Sequence, residues 1–210
     1  MMTRKNRNRN QLGRHLGKQG PRQAVGHQAA SAKSDTGNTT NTLHIFQANI
    51  NGLSDKKTEL AHYLDQKDVH IALLQETMLG QNSDPHISGY TPYPCKCPNA
   101  CQGVITYIRN DVQGKVENIT NCQPTDIQKA TIWFSGCKYT VYNIYSPSNS
   151  KCSFSFLTDS TYTKTVLAGD FNGHSPQWGY KDHNPTGWSI EELCSTTNLT
   201  VETSLPRNDT

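Results

Sequence analysis

Leu43 to Ile50 is an almost continuous run of apolar, β-compatible residues, the texture of a strand covered on both faces, with Asn49 standing at its end. Ser54 follows as a candidate N-cap with Asp55 in the first turn. Leu60, Tyr63 and Leu64 then recur at helical spacing, so the pattern predicts a helix over 54–66. Val69 to Leu74 predicts a second buried strand, with the polar Gln75-Glu76-Thr77 at its carboxyl end. Strand, helix and strand in this order make a βαβ-like opening.

Pro85, Pro92, Pro94 and Pro98 punctuate the next stretch and predict a loop, after which strand texture resumes at Gly103–Ile108. Ala130–Phe134 and Tyr139–Tyr145 read as two strands of a hairpin turning at Ser135-Gly136. Thr165–Ala168 is a short buried strand that runs into Gly169-Asp170-Phe171-Asn172, so a polar group again stands at a strand's end. Thr186-Gly187 leads into a short helix in which Ser189 and Glu192 have capping-box spacing and Ile190, Leu193 and Cys194 share a face. Leu199–Thr203 resembles one more strand. No internal repeat is evident.

Composition divides the chain in two. Only 33% of the 210 residues are hydrophobic and mean hydropathy is −0.71, low for a single packed globule. Residues 1–42 hold eight basic side chains (Arg4, Lys5, Arg7, Arg9, Arg14, Lys18, Arg22, Lys33) against Asp35 alone, about +7. The remaining residues carry 12 basic against 16 acidic side chains, about −4, an asymmetry hidden by the net +3. A segment rich in Asn, Gln, Gly and Arg has too little apolar surface to offset its chain entropy, so residues 1–42 are expected to be a basic disordered tail ahead of a domain over 43–210. The tail has the basic, acid-poor character of a transit peptide but no amphipathic period. No secretory leader and no membrane-length apolar stretch is present, which favours an intracellular protein, nuclear or cytoplasmic, with no membrane partner. Seven cysteines without a leader read as reduced thiols. Cys95-x-Cys97-x₃-Cys101 has poor zinc spacing and no histidine nearby.

Three separated strands thus deliver Asn49, Glu76 and the Asp170/Asn172 pair at their ends, where ligand-binding groups converge in layered α/β folds. Each of them alone would be an ordinary turn former or solvated charge; the repetition is the signal. The local wording is similar to a known family. It lies in Leu43-His-Ile-Phe-Gln-Ala-Asn49-Ile-Asn51-Gly52-Leu53, Ile71-Ala-Leu-Leu-Gln75-Glu76-Thr77 and Gly103-Val-Ile-Thr-Tyr107-Ile-Arg109. It continues in Val141-Tyr-Asn143-Ile-Tyr145-Ser-Pro147 and Leu167-Ala-Gly169-Asp170-Phe171-Asn172-Gly-His174-Ser-Pro176-Gln-Trp178-Gly179. With these five blocks in order, residues 43–205 resemble the endonuclease/exonuclease/phosphatase superfamily, specifically the apurinic-type endonuclease domain of jockey-like non-LTR retrotransposons.

The resemblance implies an α/β (α+β) fold, a layered sandwich of two mixed β-sheets flanked by helices, and Mg²⁺-dependent (or Mn²⁺-dependent) phosphodiester hydrolysis on DNA. By motif, Glu76 is the implied metal carboxylate with Asn49 beside it. Asp170 is implied to activate the attacking water, Asn172 and Tyr145 to bond the phosphate, and His174 to touch the substrate. Asn51 stands where repair members of the family carry an acidic residue, which weakens a second metal position. The family's closing Ser-Asp-His motif is not found, and Asp182-His183 falls too soon after the Gly-Asp-Phe-Asn block to replace it. The expectation is therefore a domain whose last strands are missing and which is inactive as this fragment. Two alternatives stay open: a non-catalytic nucleic-acid-binding remnant, with RNA as a further partner of the basic tail, and a phosphatase of the same superfamily. Trp133, Trp178 and Trp188 read as packing anchors, and Arg109 and Lys115 as facing either DNA or solvent.

Overall fold

The computed structural model describes residues 28–32, 42–80, 83–95, 103–122, 124–148, 150–157 and 162–202. Among the described residues, nine strands form two sheets. The first sheet holds β1 (Gln28–Ala32), β2 (Leu43–Asn49), β3 (Ile71–Gln75), β4 (Tyr90–Pro94) and β5 (Val104–Arg109) in the order β1-β2-β3-β5-β4. The second holds β6 (Gln113–Ile119), β7 (Asp126–Phe134), β8 (Cys137–Tyr145) and β9 (Thr165–Asp170) in that order. Each sheet is mixed: β2 runs parallel to β3 and β8 parallel to β9, whereas the other pairs are antiparallel. The expected layered sandwich of two mixed sheets with helices outside is the observed architecture.

Alternation along the strands assigns each face. Leu43 and Ile45 of β2, Ile71 and Leu73 of β3 and Ile108 of β5 meet Ala130, Ile132, Tyr139 and Val141 of the second sheet in one buried cluster between the sheets. The intervening residues, Phe46, Ala48, Ala72, Leu74, Ile105 and Tyr107, face outward and pack on Leu60 and Leu64 of α1 (Lys57–Gln66), with Leu53 and Val69. A third cluster of Ile127, Tyr142, Ile144 and Cys152 covers the outer face of the second sheet beneath Phe154 and Phe156. The βαβ opening is β2-α1-β3. The β7–β8 hairpin turns at Ser135 and Gly136, both at positive φ (49° and 73°), which suits a two-residue turn matched to strand twist.

Several expectations need correction. Gln28–Ala32, placed in the tail, pairs antiparallel with β2 from Gln28↔Gln47 to Ala32↔Leu43, so the first sheet reaches upstream of Leu43. Residues 1–27 and 33–41 lie outside the described residues, as do Cys97 and Cys101. Pro92 and Pro94 sit within β4, which is possible because β4 is an edge strand and proline removes only one ladder donor. Ser54 opens a 3₁₀ turn over Ser54–Lys56 without a side-chain cap. The second helix, α2 (Pro185–Thr196), is capped by Asn184, whose Oδ1 accepts from Gly187 N at 2.8 Å, while the Ser189 hydroxyl donates back to Pro185 O. Residues 199–202 are not a strand.

Candidate active site

The inter-sheet layer changes character along its length. It is apolar where β2 and β3 begin and polar where they end, because the rows that start with Leu43 and Ile71 finish with Asn49 and Gln75. On the second sheet the same face ends in Tyr145 of β8, Asp126 of β7 and Asp170 of β9. Asp126 and Asp170 are each the register partner of Tyr145.

These ends meet. Asn49 Nδ2 donates to Asp170 Oδ2 at 2.7 Å, a contact between the two sheets across 121 residues of chain. Asp170 Oδ1 accepts the backbone N–H of Asn172 at 3.2 Å, so both carboxylate oxygens are oriented. The Tyr145 hydroxyl lies beside the carboxylate of Glu76, near enough for that carboxylate to act on the phenol. Asn172 Nδ2 donates to Ser146 O at 2.9 Å, which fixes its amide while leaving its second N–H available. Asn49, Glu76, Tyr145, Asp170 and Asn172 thus form one neighbourhood, built from the ends of β2, β3, β8 and β9.

Backbone geometry makes this possible at two points. Gly169 sits at φ 153°, and a Cβ there would lie 1.8 Å from Ile144 O, so only glycine lets β9 run close enough beside β8 to set Asp170 against Tyr145. Glu76 and Asn172 take left-handed φ of 51° and 47°, strained for side-chain-bearing residues. Gln75 points between the sheets, so a Glu76 in regular strand geometry would point the other way, towards α1. The left-handed turn re-aims it at Tyr145.

Electrostatics follow from crowding. Burial holds the Tyr145 phenol well above its ordinary pKa, reinforced by the charges of Glu76 and Asp170 and the contact with Glu76, so it remains a hydrogen-bond donor at neutral pH. Burial likewise raises the Asp170 carboxyl; the Asn49 and Asn172 donors oppose that rise and the Glu76 charge adds to it. Two carboxylates that repel one another, with amide and phenol oxygens beside them, make an oxygen-only donor set matched to a hard divalent cation. Glu76 and Asn49 Oδ1 are the groups that would hold it.

Asp126 was not singled out in the sequence, where it looks like part of a loop ahead of Ala130. It is buried, no donor among the described residues reaches its carboxylate, and burial raises its pKa. Its folded pKa lies above its unfolded one, so the folded state holds the extra proton and the carboxylate costs stability once pH rises through that window. Asp126→Asn is expected to raise Tm at pH 7, with the gain vanishing as pH falls below the ordinary carboxylate range. Thermal melts of both proteins from about pH 3 to about pH 8 read this, and a pH-independent difference would show that the site does not bury a titrating charge.

The remaining marked residues lie elsewhere. His174 is stacked on Tyr180 at 4.2 Å and lies 3.9 Å from Asp182, and its backbone is tied to Asn184, so its ring makes no bond to the cluster. His183 bonds Glu191 at 2.8 Å and stacks on Trp188, which takes it away from Asp170. Trp188 and Trp133 are 58% and 40% exposed, so neither is the packing anchor expected. Lys115 pairs with Glu117. Arg109 bonds Asp68 and Asp111 at the opposite pole of the first sheet. His44 and His70 join Asp68 there in the one group of three possible metal-ligating side chains among the described residues. His70 Nδ1, however, accepts the His44 N–H at 3.0 Å, and Arg109 already holds Asp68, so the arrangement is a closed polar cluster.

Residues 139–210 match the family model described as Endonuclease-reverse transcriptase. The chain is 23% identical over 168 residues to a probable RNA-directed DNA polymerase from transposon BS of Drosophila melanogaster, which covers 77% of this chain. It spans only 18% of that relative's length. Among solved structures, the endonuclease domain of TRAS1, a telomere-specific non-LTR retrotransposon, superposes with a TM-score of 0.52 at 19% identity, over 72% of this chain and 71% of that one. The AP endonuclease LMAP from Leishmania major gives a TM-score of 0.52 at 14% identity, over 73% of this chain and 66% of that one. No helix of the described residues is long and apolar enough to cross a membrane. The two-sheet fold, the motif blocks and these matches together make the chain similar to proteins of the endonuclease/exonuclease/phosphatase superfamily.

Proposed function

We propose that the residues gathered around Asp170 are the phosphodiester-cleaving site of a retrotransposon endonuclease that nicks DNA. One observation carries the reading. Asn49, Glu76, Tyr145, Asp170 and Asn172, drawn from four strand ends, meet in one hydrogen-bonded neighbourhood with the chemistry that water attack on a phosphate needs.

In this reading Asp170 accepts the proton of the attacking water, since its oxygens are already oriented by Asn49 and Asn172 and burial strengthens it as a base. Tyr145, held protonated, and the second N–H of Asn172 donate to phosphate oxygens on which negative charge develops. Glu76 with Asn49 would hold Mg²⁺ or Mn²⁺, which would supply charge neutralisation at the scissile phosphate and its leaving oxygen. His174, on the same loop as Asn172, stands ready to contact DNA flanking the scissile bond. The basic residues of the 1–42 segment add sequence-independent contacts to DNA or RNA phosphates, which salt weakens. A place in the nucleus or cytoplasm, where such substrates lie, goes with this reading, as does a jockey-like origin for the wording of the motifs.

Glu76→Gln is expected to weaken Mg²⁺ or Mn²⁺ binding by about tenfold or more with Tm little changed, because the swap keeps shape and removes the charge. Calorimetric titration of both proteins is the test, and equal affinities would move the metal elsewhere. In a polypeptide that joins these residues to a Ser-Asp-His segment, nicking of supercoiled plasmid, compared with phosphate release from small or lipid phosphates, separates a nuclease from a phosphatase. DNA binding without either activity would leave a binding remnant.

A further inference from the structure

Inside the apolar inter-sheet layer lies a set of fully buried amides. Gln75 and Asn143 are each 0% exposed, and Gln75 Nε2 donates to Asn143 Oδ1 at 2.7 Å, directly from the first sheet to the second. Every remaining polar atom of the pair is engaged. Gln75 Oε1 accepts from Gln47 Nε2 at 2.6 Å, and Gln75 Nε2 also reaches Leu73 O at 3.3 Å. Asn143 Nδ2 lies within reach of Ile105 O at 3.1 Å and Thr106 Oγ1 at 3.2 Å. Thr106 passes the chain on to Gln128 Oε1 at 2.8 Å.

Burying two amides where leucines would pack is not the cheapest way to hold two sheets together, since apolar contact has no direction and needs no partner. An amide pair does have direction. Its bond forms at one register and one inter-sheet offset only, and a slip of either strand would leave buried polar groups unpaired. The pair also stands next to the proposed site: Gln75 immediately precedes Glu76, and Asn143 is two residues before Tyr145 on the same face of β8. The Gln75–Asn143 bond and the Glu76–Tyr145 contact are therefore consecutive rungs between β3 and β8.

We propose that Gln75 and Asn143 are positioning residues, whose buried amide bond sets the two sheets at the offset that brings Glu76 against Tyr145. Neither touches substrate in this arrangement. They act through the two groups that do, so the inference rests on the reading of Glu76 and Tyr145 given above.

The test must separate positioning from stability. Gln75→Leu/Asn143→Leu replaces both partners together by apolar groups of similar size, so neither faces an unpaired amide; Gln47 loses a bond but is half-buried and can turn to water, and Thr106 keeps its bond to Gln128. Tyrosine labelled at ¹³Cζ reports the Tyr145 hydroxyl environment at fixed pH, the resonance being assigned by its loss in Tyr145→Phe. Mn²⁺ affinity reports Glu76. The leucine pair is expected to keep Tm within a few degrees of the parent. It is also expected to displace the Tyr145 resonance and lower Mn²⁺ affinity by about 10- to 100-fold, as loss of outer-shell support commonly does. The exchange Gln75→Asn/Asn143→Gln conserves the combined reach of the pair and is expected to restore both readouts. An unmoved Tyr145 resonance in a folded leucine pair overturns the proposal. Should the leucine pair fail to fold, Gln75→Asn alone, one methylene too short, is compared with the exchange. A resonance displaced in the first and restored in the second supports the proposal, and equal resonances overturn it. A parent that binds no Mn²⁺ would refute the metal reading of Glu76 and leave the Tyr145 resonance to decide this one.

Discussion

Gly169→Ala is expected to destabilise the fold by about 3 kcal/mol or more, at the upper end of what overpacking costs, because the added methyl would sit 1.8 Å from Ile144 O. No rotamer relieves it, since the clash is backbone against Cβ. β9 must move away from β8, and the parallel ladder from Thr140↔Thr165 to Tyr145↔Asp170 is lost at its site end. For a chain of this size the loss corresponds to a fall in Tm of roughly 6–12 °C. Gly187→Ala is a matched control: its Cβ would also lie 1.8 Å from a carbonyl, that of His174, but in the seat of α2. Both variants should lose stability, whereas only Gly169→Ala should separate Asp170 from Tyr145 and with it weaken divalent-cation binding. Thermal melts and Mn²⁺ titration of the two proteins check this. A Gly169→Ala protein with parental Tm would mean that β8 and β9 are not held this close.

The same glycine shows how far the sequence could be read. The run Thr165–Ala168 is apolar and announces a strand, and Gly169-Asp170-Phe171-Asn172 announces that something polar follows, yet the strand continues through Asp170. β2, β3 and β8 were legible for the same reason: buried strands of mixed sheets carry long apolar runs. β6 was not. Gln113–Ile119 is an edge strand with charged Lys115 and Glu117, and its polarity is that of a loop. β4 was hidden behind its prolines. The residues of the proposed site, Asn49, Glu76, Tyr145, Asp170 and Asn172, stood out in the sequence through position at strand ends and family wording. Gln75, Asn143 and Asp126 were passed over because inward-facing polar residues in a strand carry no local mark. Only the pairing of two sheets reveals that Gln75 and Asn143 satisfy each other and that Asp126 is left without a donor among the described residues. The three tryptophans illustrate the converse, since an aromatic side chain predicts burial in general and Trp188 is nonetheless mostly exposed.

Asp170→Asn is expected to lower plasmid nicking by about 10²–10⁴-fold, the range for loss of a general base, with affinity for DNA little changed. The substitution keeps size and still offers an oxygen to the Asn172 N–H. The other carboxylate oxygen becomes an amide nitrogen facing Asn49 Nδ2, donor against donor, so the inter-sheet bond is lost together with the proton acceptor. Stability should not fall in step with activity, because the variant also removes a buried charge that Glu76 repels. The assay compares residues 1–210 with a polypeptide that joins them to a Ser-Asp-His segment. Residues 1–210 alone are expected to stay at background, for among the described residues no histidine ring bonds to Glu76, Tyr145, Asp170 or Asn172. Base, metal and phosphate donors act as a unit, and loss of one member costs nearly as much as loss of several. A joined protein that nicks as fast after the Asp170→Asn change as before it would remove Asp170 from the water-activating role. Vigorous Mg²⁺-dependent nicking by residues 1–210, abolished in Asp170→Asn, would instead keep that role and show that the four strand ends suffice.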